Sequence, residues 1–188
     1  SAVLPDVGHY CLLLLKKNKP PIQKVYDTID IADYAAHGFD REGYDTYFAV
    51  SSFKDPTIDT PRALLNVLHT KALFLDIDCG LEKAKKGLGY ATKEDGMAAL
   101  KAFLKETGMP TPTYVDSGRG WHIYWVLTEA IEYEEWYLVA ESLKQLTKNK
   151  GLICDPAVTS DASRVLRVPK THNYKDNPPN PVKVMGDE

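Results

Sequence analysis

The stretch that most constrains the fold is Tyr114–Leu127, read Tyr-Val-Asp-Ser-Gly-Arg-Gly-Trp-His-Ile-Tyr-Trp-Val-Leu. Two runs of β-forming residues, Pro112–Ser117 and Trp121–Leu127, flank Ser117-Gly118-Arg119-Gly120, which predicts an antiparallel hairpin. Side chains alternate across a strand. Trp121, Ile123, Trp125 and Leu127 therefore form one apolar face that must be core, and His122 and Tyr124 project from the other. A hairpin mid-chain, between irregularly spaced strands and helices, argues for an α+β fold with a mixed sheet rather than a doubly wound parallel one.

The remaining elements fit that frame. Tyr10–Leu15 reads as a buried strand stopped at Lys16-Lys17-Asn18-Lys19-Pro20-Pro21, and Tyr44–Phe53 as β-rich. Ile29–Ala36 is a helix candidate with Asp27 or Thr28 to cap it, and Pro61–Leu68 another with Thr60 as cap. Lys71–Asp78 is a strand, Gly80–Gly89 a basic loop, and Thr92–Thr107 an amphipathic helix capped by Thr92 and ended by Gly108. Tyr133–Asn149 is a helix stopped at Gly151. From Asp176 the composition, Asp-Asn-Pro-Pro-Asn-Pro, is that of a linker.

With 188 residues the chain has room for about one domain. Its longest apolar run, Tyr10–Leu15, is far short of the ~20 residues of a spanning helix. No basic segment followed by a long apolar stretch marks a secretory signal. Three widely spaced cysteines, Cys11, Cys79 and Cys154, argue against a disulfide framework and lack the paired ligands of a zinc site. No zinc is expected, and a reducing cytoplasm suits such cysteines. The net charge of −3 disfavours a protein that coats duplex DNA by charge alone. It leaves local use of nucleic acid open, because a bound cation can offset a carboxylate cluster.

Three groups of residues can carry chemistry. Asp76 and Asp78 share one face of the Lys71–Asp78 strand while Leu75 and Ile77 point to the core. A divalent cation with a taste for oxygen, Mg²⁺ or Mn²⁺, would hold that pair together; the pair also reads as strand-end acids capping a turn before Gly80. The hairpin turn offers two glycines, backbone N–H groups, the Ser117 hydroxyl and Arg119, a set suited to phosphate, with His122 beside it. An exposed cross-strand pairing would equally place His122 there. Third, Leu152-Ile153-Cys154-Asp155 repeats the pattern of an acid after an apolar run, which reads as a short strand delivering Asp155 into the sheet beside Asp76 and Asp78, and Arg164 and Arg167 follow with planar guanidinium groups fitted to phosphate. Interleaved acids and arginines also read as a surface loop of ion pairs.

In this order the three groups, followed by Leu166-Arg167-Val168-Pro169 with Asn173 and Lys175, resemble the catalytic core of the archaeo-eukaryotic primase superfamily, in wording most like its phage and mobile-element members. The resemblance runs from about Tyr44 to Lys175. It implies an RRM-like sheet module, about residues 71–175, packed on an N-terminal α/β module, about 1–70, with the site in the cleft and 176–188 as a linker-like tail. It implies a DNA primase or polymerase activity: template-directed nucleotidyl transfer from NTPs or dNTPs by two divalent ions, Mg²⁺ or Mn²⁺. Asp76, Asp78 and Asp155 would be the metal ligands. Ser117, Arg119, His122, Arg167 and Asn173 would bind the nucleotide, His122 also counting as catalytic. Partners would be single-stranded or primed DNA and a C-terminal helical or helicase module outside this chain, in the cytoplasm of a prokaryotic or phage-infected cell. Lys170 follows Pro169 where similar phage and plasmid sequences often carry glycine. Two other classes compete: an RRM-like nucleotidyl transferase or cyclase, which has no use for the Ser-Gly-Arg-Gly-X-His hairpin, and a catalytically silent replication-initiation module that binds single strands. A relaxase would need His-X-His, which the chain lacks.

Overall fold

A computed structural model describes residues 2–186. The predicted hairpin is its centre: β6 (Thr113–Asp116) and β7 (Gly120–Glu132) pair antiparallel, and β7 pairs in turn with β5 (Val67–Asp78). The turn depends on its glycines. Gly118 has φ +88, and a Cβ there would lie 2.9 Å from the Cβ atoms of Asn173 and Asn180; a Cβ on Gly120 would lie 2.1 Å from the Ile77 carbonyl oxygen. The register sets Asp76 opposite His122 and Asp78 opposite Gly120.

β4 (Ser51–Phe53) and β11 (Lys183–Val184) complete a five-stranded sheet in the order β11-β6-β7-β5-β4. A four-stranded sheet holds β1 (Tyr10–Leu15), β2 (Ile22–Tyr26), β3 (Asp45–Ala49) and β8 (Val165–Arg167) in the order β2-β1-β3-β8. The architecture is α+β as expected, and every pairing within both sheets is antiparallel. The sheets also trade strands across the expected boundary near residue 70: β4 joins the second sheet, and β8 returns to the first.

Helices cover the sheets where the apolar pattern requires. α1 (Ile29–Arg41) lies on β1 and β3, with Thr28 Oγ1 accepting from Ile31 N. α3 (Lys93–Thr107) lies on β7; Thr92 and Asp95 form a reciprocal capping box, and Gly108 ends the helix in the left-handed region. α4 (Tyr133–Asn149) lies on β5, where Trp136 stacks on Phe74 at 5.5 Å and donates its indole N–H to the Ala72 carbonyl. Such a pair contributes about 0.5–1.5 kcal/mol beyond its burial.

Four expectations are corrected. Pro61–Leu68 is not a helix: a 3₁₀ turn at Leu64–Asn66 leads into β5, because the buried Asn66 amide draws the loop around itself, donating to the Asp55 and Pro61 carbonyls. The Gly80–Gly89 loop opens with a short helix, α2 (Leu81–Lys85). Leu152–Cys154 forms no strand; the segment is fastened at two points, Ile153 N to the Tyr90 hydroxyl and Asp155 N to the Asp76 carbonyl, before Pro156 starts the four-residue α5 (Pro156–Thr159). The stretch from Asp176 is no linker. β10 (Asn180–Pro181) pairs with β9 (His172–Asn173), Val182 is 1% exposed, and β11 pairs with β6. The pull of one buried valine and an extra sheet edge outweighs the proline-rich composition. Residues 187 and 188 of that expected tail lie outside the described residues.

Candidate active site

A cavity of about 190 Å³ opens between the two sheets. β5 brings Asp76 and Asp78 to it, β7 brings His122, the hairpin turn Ser117 and Arg119, β8 Arg167, and β9 Asn173. Seven of the eight residues expected from the sequence thus line one space. Asp155 does not line it: its backbone is held to Asp76, and its Oδ1 accepts from Ala157 N to cap α5. Among the described residues no three His, Cys, Asp or Glu side chains converge as a ready metal cluster.

The electrostatics still favour a cation at the acids. Burial, with the negative charges of Asp78 and Asp155 nearby, pushes the Asp76 carboxyl up to about 7. No donor hydrogen-bonds that carboxylate among the described residues; His122 Nε2 stands 3.9 Å from Oδ1. Asp78 is held instead by Lys83, whose Nζ lies 2.6 Å from Oδ2. Two hard carboxylates that share a single ammonium are a donor set Mg²⁺ or Mn²⁺ suits, so the residues fit such an ion, which Asp76 and Asp78 could hold.

The raised Asp76 carboxyl has a stability consequence. The folded state binds more protons than the unfolded one between about pH 4 and pH 7, so this group costs stability progressively as pH rises through that window. Asp76→Asn should therefore gain on the metal-free parent in urea unfolding as pH goes from about 4 to 7. A constant difference across that range would contradict the assignment. His122 works with the opposite sign, so only the difference between the two proteins isolates Asp76.

His122 lines this cavity, and the exposed cross-strand reading does not hold. The β7 face carrying it is not exposed but covered by the first sheet, with Tyr124 stacked on Phe48 at 6.5 Å. Burial, helped by the positive charge of Arg167, pushes its imidazole down to about 3. His122 is neutral at working pH and can give one hydrogen bond to a phosphate, not a charge. Its Nδ1 has no partner among the described residues.

Arg167 is 4% exposed, lies over the Tyr47 ring at 4.6 Å, and donates through Nη1 to Asp45 Oδ1 at 2.5 Å. Its Nη2 has no hydrogen-bond partner among the described residues, a buried donor in want of an acceptor. Arg119 is held by Asp176 through both Nε and Nη2. The turn is less of a phosphate cradle than its glycines suggest: Gly118 N already donates to Asp116 Oδ1 and Ser117 N to the Gly120 carbonyl. That leaves the Ser117 hydroxyl and the Arg119 guanidinium. Asn173 is a brace, its amide donating to the Ser117 carbonyl and its oxygen accepting from Lys175 N. Lys170 occupies a glycine-like conformation, φ +63, its N–H donating to the Val182 carbonyl.

Sequence reasoning missed Asp45, Tyr47 and Asp176. Asp176 stood in a segment read as linker, and Asp45 and Tyr47 belong to a strand with no motif; only the need of a buried arginine for a carboxylate could have pointed to Asp45. Asp161, six positions after Asp155, closes a turn, its Oδ1 accepting from Ser163 N and Oγ. Asp161→Ala should lose about 1 kcal/mol in urea unfolding with activity retained; a lost activity in a folded variant would give Asp161 a role in the site.

No family model matches the chain, and no curated protein does. Solved structures do. The primase–polymerase domain of cyanophage S-2L aligns with TM-score 0.63 and 15% identity over 97% of this chain and 83% of that one. The primase RepB′ gives 0.56 and 12% over 94% of this chain and 50% of that one. The polymerase domain of Mycobacterium tuberculosis ligase D, in complex with DNA, gives 0.51 and 16% over 90% and 71%. With its two interlocked sheets and the acids on the central hairpin's neighbour, the chain shares the fold of these primase and polymerase domains.

Proposed function

We propose that this chain is a DNA primase–polymerase catalytic domain that adds nucleotides to a template-paired 3′ end. The reading rests above all on one observation: Asp76 and Asp78 meet Ser117, Arg119, His122 and Arg167 around a single cavity, in a fold whose solved neighbours are primases and polymerases.

In this reading the 3′-hydroxyl oxygen attacks the α-phosphorus of a nucleoside triphosphate, its proton passes to solvent, the bond to the bridging oxygen breaks, and pyrophosphate leaves. Divalent ions, when bound, supply Lewis-acid stabilisation of the attacking and leaving oxygens. Asp76 and Asp78 would hold them, and Asp155, whose backbone is fastened to the Asp76 carbonyl, would add a third carboxylate from beside the cavity. Arg167, rigid between Asp45 and Tyr47, presents Nη2 to a phosphate oxygen without reorganising. Ser117 and Arg119 bind the triphosphate tail from the hairpin side. His122 adds a neutral hydrogen bond.

The test is extension of a labelled primer on a single-stranded template with Mg²⁺ or Mn²⁺ and NTPs or dNTPs. Template-dependent products are expected, and none without divalent ions. The Lys83–Asp78 pair and the capping role of Asp155 favour one rival, a module that binds single strands without chemistry. Tight DNA binding with no incorporation would establish it. Arg119→Ala should weaken nucleotide binding about tenfold, as losing a charged hydrogen bond does, and DNA binding much less. Should template affinity fall while nucleotide affinity holds, the hairpin is a DNA contact instead.

A further inference from the structure

Lys83 stands between two spaces. It lines the acid cavity with Asp76 and Asp78, and it also lines an outer groove of about 770 Å³ bounded by α2, the start of α3 and the hairpin turn. Arg119 and Cys79 are likewise shared, so the two spaces adjoin. In the structure the lysine reaches inward: Nζ lies 2.6 Å from Asp78 Oδ2 although the side chain is 46% exposed. It rides on a five-residue helix joined to β5 through Cys79 and Gly80, the latter at φ +132. A long, half-exposed chain on a short helix can turn outward by rotating its own bonds, without moving the sheet.

Resting on the metal-dependent reading above, we propose that Lys83 is a tethered counter-cation: it neutralises Asp78 while no metal is present and gives the carboxylate up when a divalent ion binds. The physical case is one of exclusion. Mg²⁺ and Mn²⁺ bind carboxylate oxygens more closely than an ammonium does, and a dication on Asp78 repels a like charge on the same group. The outer groove, where Lys86, Lys93 and Arg119 also lie, is the adjoining space open to the displaced ammonium. A lysine at this place keeps three carboxylates from repelling one another in the empty protein and sets a threshold that the metal must overcome.

The experiment is Mn²⁺ titration of the whole chain, with free ion read by electron paramagnetic resonance, beside thermal unfolding with and without Mn²⁺. Lys83→Met should bind Mn²⁺ roughly fivefold more tightly, the scale of a half-exposed ion pair. Its melting temperature should also rise more on Mn²⁺ addition than the parent's, because the metal-free form has lost its counter-charge. Lys83→Arg should behave like the parent. Lys86→Met removes a charge from the same groove without touching Asp78 and should change the affinity less than twofold. Unchanged or weaker Mn²⁺ binding by Lys83→Met, or equal tightening by Lys86→Met, overturns the inference and leaves the metal site standing. If neither parent nor variants bind Mn²⁺, the metal-dependent reading fails and the inference with it.

Discussion

Asp78→Asn is expected to abolish nucleotide incorporation, by roughly a thousandfold or more, or about 4 kcal/mol of transition-state stabilisation. The substitution keeps the size and shape of the side chain and removes only the charge a divalent ion requires. Nothing in the packing depends on that charge: Asp78 ends β5, its cross-strand neighbour is Gly120, and its side chain meets Lys83 in a half-exposed pair. Such a pair contributes at most about 1 kcal/mol, and losing it is offset by the relief of Asp76, whose carboxyl Asp78 pushes up. Fold and catalysis should therefore separate cleanly. The variant should melt within a few degrees of the parent and show the same circular dichroism while primer extension disappears. Extension near the parental rate would end the assignment of Asp78 as a metal holder, and unfolding would show that the acid pair is structural.

That separation reflects how the sequence encodes the site. Strand period placed Asp76, Asp78 and His122 on one side of their strands with no other information, because alternation is a property of the backbone and survives any tertiary context. What alternation could not reveal is which of two faces meets water. Both faces of β7 are covered from Gly120 to Trp125, one by α3 and the other by the first sheet, so His122 is buried and neutral, and the exposed face that alternation equally allowed does not exist. The hairpin glycines were legible as a turn, but their closeness to Asn173, Asn180 and the Ile77 carbonyl depends on segments more than forty residues away. The same distance hid the partners of the arginines. Asp45 reaches Arg167 because β3 and β8 pair, and Asp176 reaches Arg119 because the chain end folds back onto β6. Local composition, rich in proline and asparagine, argued for a linker there. A single buried valine and a free sheet edge decided otherwise.

Asp155 is the residue at which fold and chemistry are hardest to tell apart, and Asp155→Asn resolves them. Its Oδ1 caps α5 by accepting from Ala157 N at 2.9 Å, and its backbone N–H donates to the Asp76 carbonyl at 2.8 Å, so the residue is fixed at the edge of the site whatever its charge does. Asparagine caps a helix about as well as aspartate, through the same carbonyl-type oxygen. Stability should then stay within a few tenths of a kcal/mol, and the backbone bond to Asp76 should remain. If the charge serves as a third carboxylate for divalent ions, activity should still fall about a hundredfold, equivalent to about 2.7 kcal/mol. Asp155→Ala should add a loss of about 1 kcal/mol in stability by removing the cap. The pair of variants thus assigns each effect to one property, charge to activity and oxygen to stability. An Asp155→Asn protein that extends primers like the parent would make Asp155 a cap alone and leave Asp76 and Asp78 to hold the ions by themselves.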